Sequence, residues 1–77
     1  MKRGTRSSNV HVVPSQGRWE VKIEGLGGAG EYRTQNEAIR AGRELARAYR
    51  SENIIHGRDG RIRQRDSYGH DPFPPRG

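Results

Sequence analysis

The chain contains no cysteine, which excludes a disulfide framework and any thiolate metal site. No apolar run approaches the roughly 20 residues of a membrane-spanning helix, and the first residues lack the apolar stretch of a secretory signal. The expectation is a soluble, cytoplasmic protein. Hydrophobic residues are scarce at 29%, with a single tryptophan and a single phenylalanine. So few apolar groups in 77 residues make one domain with a thin core, of a size that rarely draws more than about 3–5 kcal/mol from it. With disulfides excluded, self-association is the reinforcement left open. Acids are also in deficit, nine against fifteen bases, for a net charge of +6.

The excess charge is unevenly placed. Residues 1–8 hold Lys2, Arg3 and Arg6 with no acid, residues 9–55 are nearly balanced, and the remaining excess lies from residue 56 onward. All bases but Lys2 and Lys22 are arginine, a side chain suited to planar, bidentate contact with phosphate or carboxylate. Genome base composition alone also produces arginine richness, so the residue type does not by itself establish a ligand.

Residues 1–9 are polar and basic and read as a disordered arm. Val10 to Val13 is β-prone and is followed by the turn cluster Pro14-Ser15-Gln16-Gly17. From Arg18 to Glu24 the sequence alternates, with Trp19, Val21 and Ile23 on one side and charged residues on the other, as a strand with one wet face requires. A glycine-rich loop, Gly25 to Gly30, leads to Glu31-Tyr32-Arg33, long enough only for an edge strand. Thr34-Gln35-Asn36-Glu37 is a capping box that opens a helix to about Arg50. Ala38, Ile39, Gly42, Leu45, Ala46 and Tyr49 share its apolar face. Gly42 sacrifices about 1 kcal/mol of helix propensity relative to alanine, which points to close approach of helix and sheet, with Trp19 filling the space. Asn53-Ile54-Ile55-His56 re-enters the sheet, an Asp59-Gly60 turn reverses it, and residues 70–77 form an extended proline-rich tail. The fold expected for residues 10–69 is α+β, in the order β-β-(β)-α-β-β: one small antiparallel sheet with a single helix on its apolar face. Val12, Trp19, Val21, Ile23, Ile54 or Ile55, and Ile62 are the sheet's expected share of the core.

The strongest functional signal is the last hairpin. Asp59-Gly60 suits a two-residue type I′ turn, and alternation after it sends Arg61, Arg63 and Arg65 to one face and Ile62 to the other. Three guanidinium groups on one side of a two-stranded ribbon, with Arg58 beside the turn, form a cationic strip able to meet phosphates. Arg40, Arg43, Arg47 and Arg50 form a second strip on the helix, flanked by Glu37 and Glu44 at pairing distance along it. A solvated face laced with weak ion pairs explains that ridge equally well. Base-stacking aromatics, which distinguish a specific single-strand binder from a merely basic protein, are limited to Tyr32, Tyr68 and Phe73 as exposed candidates.

Other chemistries find little support. Gly25-Leu26-Gly27-Gly28-Ala29-Gly30 matches the dinucleotide fingerprint in letters. That fingerprint needs a helix opening directly at the loop and a doubly wound sheet, and neither fits here. His11, His56 and His70 lack the spacing that sets two ligands on one helical face, and the acids near Asp66 lack calcium-loop spacing. No metal or cofactor is expected. Asp59 and Asp66 show no sign of the unequal environments that divide roles between paired carboxylates, and no serine has a nucleophile context. No catalytic residue is assigned and an enzyme is not expected.

Several segments together carry a resemblance: His11-Val12-Val13-Pro14, Trp19-x-Val21, Thr34-Gln35-x-Glu37-Ala38, His56-Gly57-Arg58-Asp59-Gly60-Arg61-Ile62, Arg65-Asp66-Ser67-Tyr68-Gly69 and Asp71-Pro72. Across roughly residues 10–73 the chain resembles a bacterial family of small proteins known as a domain of unknown function, family 2188. The glycine-rich loop departs from the more polar residues expected there. The resemblance implies a bacterial or phage cytoplasmic protein and supplies no activity, substrate or site. The function expected from the residues is a non-enzymatic binding module for nucleic acid, with Lys2, Arg3 and Arg6 of the arm and Arg58, Arg61, Arg63 and Arg65 of the hairpin as contacts. The alternative is a protein-interaction module, paired with an acidic partner or with a second copy as a homodimer through a sheet edge.

Overall fold

A computed structural model describes residues 8–68. The arm positions Lys2, Arg3 and Arg6, and the tail of residues 70–77 with His70 and Phe73, lie outside the described residues. Strand β1 (Val10–Ser15) pairs antiparallel with β2 (Arg18–Ile23). The turn between them is the two residues Gln16 and Gly17, both at positive φ (50° and 81°), the arrangement whose twist matches that of the strands. Asn9, assigned by sequence to the arm, belongs to the sheet: its carbonyl accepts from the Glu24 N–H at 2.9 Å and its side chain from the Glu52 N–H at 3.1 Å.

The glycine-rich segment is not a loop. The chain reverses tightly after β2, with the Leu26 N–H donating to the Ile23 carbonyl at 2.9 Å, and Gly27–Tyr32 runs back along β2 as edge strand β3. This also removes any helix-opening phosphate loop. Helix α1 (Gln35–Tyr49) begins where the capping box places it, with the Thr34 hydroxyl accepting from the Glu37 N–H at 3.1 Å. The reciprocal bond is displaced by one residue: the Glu37 carboxylate accepts from the Arg33 N–H at 3.3 Å. Arg50 ends the helix in the left-handed region at φ 55°, so it is the helix terminator and not the last member of its arginine ridge. Arg40, Arg43 and Arg47 are exposed. Among the described residues no ion pair joins them to Glu37 or Glu44.

Strand β4 (Glu52–His56) lies beside β1 and parallel to it, with Val10 opposite Asn53 and Val12 opposite Ile55. Strand β5 (Ile62–Ser67) completes a five-stranded sheet of order β3-β2-β1-β4-β5. The sheet is therefore mixed where an entirely antiparallel one was expected. The reason is topological: β2 is already flanked on both sides, so the chain must cross the sheet to reach the free side of β1. It crosses as a helix, and a single helical crossover delivers the next strand parallel to the one it joins.

Val10 and Val12 of β1, Trp19, Val21 and Ile23 of β2, and Ile55 of β4 form one buried cluster with Ala38 and Ala46 of the helix. Gly42 does mark a close approach, but to β1 and β4 rather than to Trp19. A Cβ there would lie 2.6 Å from Asn53 Oδ1 and 3.1 Å from a Val12 methyl. Two expected core members are exposed, Ile62 at 48% and Tyr49 at 40%. Ile54 is buried without joining the helix-side cluster, because strand alternation puts it on the opposite face. Among the described residues no helix is long and apolar enough to cross a membrane.

Candidate functional site: an arginine-lined cleft

The β4–β5 connection differs from the expected two-residue turn. The Gly60 N–H donates to the Gly57 carbonyl at 2.9 Å and the Gly57 N–H to the Arg61 carbonyl at 2.7 Å. Of Arg58, Asp59 and Gly60, only Gly60 has positive φ, at 86°. This is a three-residue loop, closed by a glycine in the left-handed region. Asp59 braces it by accepting from the Arg61 N–H at 3.0 Å.

Just beyond the loop the ladder carries a bulge: His56 pairs with Ile62 and Ile55 with Gln64, so Arg63 is the extra residue. A bulge interrupts alternation and re-aims a side chain. Arg63 is turned to the helix side, where its stem lies 2.9 Å from the position a Gly57 Cβ would occupy and its guanidinium donates to Gln35 Oε1 at 3.4 Å. Arg65 is on the opposite face, 3.7 Å from the Glu52 carboxylate. The single strip of Arg61, Arg63 and Arg65 does not form, since strict alternation fails at the one residue where it was needed.

The bulge instead converges arginines on a cleft of about 740 Å³ between the helix start and the hairpin loop, lined by Arg33, Arg58, Arg61 and Arg63 with Asp59, Gln35 and the edge of Trp19. A second hollow of about 280 Å³ under the β1–β2 turn shares Trp19 and Arg58 with it and adds Arg18. Gly57 is buried in the wall of the larger cleft, and a Cβ there would collide with Arg63. The cleft sets four guanidinium groups against one carboxylate, that of Asp59, which is 3.9 Å from Arg61. Among the described residues Arg33 and Arg58 have no carboxylate partner. The N-terminus of α1, with its partial positive charge, opens on the same space through Thr34 and Gln35.

Three of the sequence-assigned residues, Arg58, Arg61 and Arg63, thus meet at one site, and Arg65 is separated from them. Arg33 escaped the sequence reading, although its place immediately before a capping box was the available signal: a residue there stands at a helix mouth. Trp19, assigned to the core, is 7% exposed and forms part of the cleft wall. Tyr32 and Tyr68 pack against the core as half-buried residues rather than standing out as stacking platforms. Among the described residues no cluster of three or more histidine and carboxylate side chains is arranged to hold a metal ion.

No curated protein and no solved structure matches the chain. The profile of a family described as an uncharacterized protein conserved in bacteria matches residues 10–68, a span that takes in every strand, the helix and the whole arginine cleft. The chain belongs to that bacterial family, DUF2188.

Proposed function

We propose that the protein is a non-enzymatic binding module for nucleic acid, which it holds through backbone phosphates seated in the arginine cleft. The observation that carries this reading is the imbalance within the cleft: Arg33, Arg58, Arg61 and Arg63 face one another across a cavity with a single acid. Like charges held together without counter-charges repel, and an arrangement of this kind is relieved by a polyanion. Guanidinium groups bind phosphate oxygens bidentately, and an open cleft with few aromatic groups suits backbone contact better than base readout. Lys2, Arg3 and Arg6 add cationic residues on the arm, and Arg18 extends the charge along the β1–β2 turn.

The sole tryptophan lines the cleft, so its fluorescence reports occupancy directly. Titration with single-stranded and duplex oligonucleotides should change Trp19 emission and raise the anisotropy of a labelled strand. Affinity should fall with salt at a log–log slope of about −0.9 per phosphate neutralised on duplex and about −0.7 on single strands. An Arg33→Ala/Arg58→Ala double variant should lower that slope by about one to two phosphates and weaken binding uniformly across sequences. No binding at about 50 mM salt, or a double variant that binds unchanged, would overturn the proposal.

A second reading, self-association, draws on the exposed Leu26 and Ile62, at 69% and 48%, and on the two unpaired sheet edges β3 and β5. Each outer ladder carries a bulge, between Val21 and Lys22 and between Ile55 and His56, which blunts an edge against continuous pairing. A loss of anisotropy signal together with concentration-dependent sedimentation would favour this second reading over the first.

A further inference from the structure

On the face of the sheet away from the helix, four groups form a line across three strands into the hairpin loop. Glu24, just past β2, lies 2.7 Å from His11 Nε2. His11 Nδ1 lies 3.0 Å from His56 Nε2, and His56 Nδ1 lies 3.0 Å from the Gly60 carbonyl oxygen. A carbonyl only accepts, so His56 Nδ1 carries a hydrogen and, in a neutral ring, His56 Nε2 is a bare acceptor. His11 must then donate from Nδ1 to His56, while its Nε2 faces a carboxylate that, when ionised, also only accepts. Two neutral rings have one hydrogen too few for this chain. With the His11 hydrogen on Nδ1, a lone pair faces Glu24; with it on Nε2, two bare nitrogens face each other. With both rings doubly protonated, two N–H groups meet head-on. Only one added proton satisfies every contact.

We infer that His11 and His56 form a one-proton site, occupied as Glu24 carboxylate, doubly protonated His11 and neutral His56, which ties the Gly60 loop to the centre of the sheet. The geometry separates this from a metal chelate. The ring centroids are 5.3 Å apart, close to the nitrogen–nitrogen distance lengthened by the two ring radii, so the nitrogens face each other in line. Two ring nitrogens each about 2.0–2.1 Å from one tetrahedral ion would stand about 3.3–3.4 Å apart, wider than the 3.0 Å found here. The other charged groups on this face are Lys22, the register partner of His11 on β2, Arg18 and Glu20 of the same strand, Glu31 opposite Glu20 on β3, and the Arg65–Glu52 pair; among the described residues no helix covers it.

The loop held by Gly60 also carries Arg58 and Arg61 into the cleft. A second proton breaks the His11–His56 bond but keeps the His56 Nδ1–H bond to the Gly60 carbonyl, so His56 and the loop part together from His11 and the cleft's hold on a ligand changes. That consequence for ligand rests on the nucleic-acid reading; the proton site does not. Long-range ¹H–¹⁵N spectra of the imidazole nitrogens in the whole protein, taken from about pH 8 down to about pH 4, test the site without any oligonucleotide. The expected result is two separate steps belonging to the pair: the first puts the added hydrogen on His11, with His56 remaining the Nδ1–H tautomer, and the second protonates His56 at Nε2 and breaks the His11–His56 bond while the Nδ1–H bond to the Gly60 carbonyl persists. Glu24→Gln, at an exposed position, should make the added proton on His11 easier to lose, because it removes the charge that favours it. His11→Ala should leave His56 with a single step. Independent titration of both rings, an Nε2–H tautomer for neutral His56, an unmoved first step in Glu24→Gln, or stoichiometric perturbation of both rings by zinc chloride would each overturn the inference. If the steps appear and oligonucleotide binding is absent, the proton site stands and the nucleic-acid reading falls.

Discussion

The two hairpins of this protein solve opposite problems with the same number of strands. The β1–β2 hairpin turns in two residues, keeps its pairing regular from Val10 to Ile23, and buries five side chains beneath the helix, those of Val10, Val12, Trp19, Val21 and Ile23. The β4–β5 hairpin turns in three residues, inserts Arg63 out of step, and leaves five of the six residues of β5 exposed. Regular pairing in the first half maximises apolar contact. Irregular pairing in the second sacrifices contact to change the direction of one arginine. The thin core is thus concentrated over β1, β2 and the inner face of β4, and the charge is displayed where the ladder breaks.

Truncating one apolar side chain in each hairpin should expose that contrast most strongly. Val21→Ala, at a fully buried site, should destabilise the fold by about 2 kcal/mol. Ile62→Ala, at a half-exposed site on β5, should change stability by no more than about 0.5 kcal/mol. Urea unfolding followed by Trp19 fluorescence measures both; equal losses would mean that the second hairpin carries core weight. A smaller effect is expected at the loop. Gly60→Ala forces an L residue into φ 86° and should cost about 1 kcal/mol, with a larger relative loss in whatever anion affinity the cleft has, because the loop geometry sets the bulge. Smallest of all is a gain: Gln16→Asn, at φ 50° in the two-residue turn, should stabilise by about 0.5 kcal/mol, since asparagine tolerates that region better than glutamine. A loss there would show that the Gln16 side chain makes a contact the turn requires.

Where sequence and structure agree, the determining physics is local. Thr34 and Glu37 mark the helix start because a cap is a matter of four adjacent residues. Trp19, Val21 and Ile23 fall on one face because alternation needs no partner strand to define it. Arg58, Arg61 and Arg63 were legible as a cationic group because they surround one turn. What escaped depends on distant partners or on a single inserted residue. The parallel pairing of β1 with β4 follows from which strand edge is free when the helix ends. The glycine run reads as a loop because its strand character comes entirely from β2 beside it. The bulge at Arg63 leaves no mark in composition, and it decides both the loss of the arginine strip and the existence of the cleft. Arg33 joins Arg58, Arg61 and Arg63 in that cleft across 25 or more positions, a proximity that no spacing rule contains. His11 and His56, set aside for want of helical spacing, meet across neighbouring strands 45 positions apart.

The strand order has a consequence for how the chain assembles. The first strand in sequence is the central one in space, and its second neighbour is made only after the helix: Asn9 and Glu52, 43 positions apart, are joined by a hydrogen bond. On a growing chain, β1 to β3 emerge as a meander with one apolar face and one inner edge open, and nothing local can close either. Closure comes when the helix folds across and β4 docks, so the slow step of folding is the formation of that parallel seam of three residue pairs between segments 43 positions apart, with its loop-closure entropy. Until then the half-made sheet is the protein's most aggregation-prone species. The fully buried Asn53, set at the seam beneath Gly42, donates to the Ile39 carbonyl, a bond that exists only once the helix and β4 lie in register.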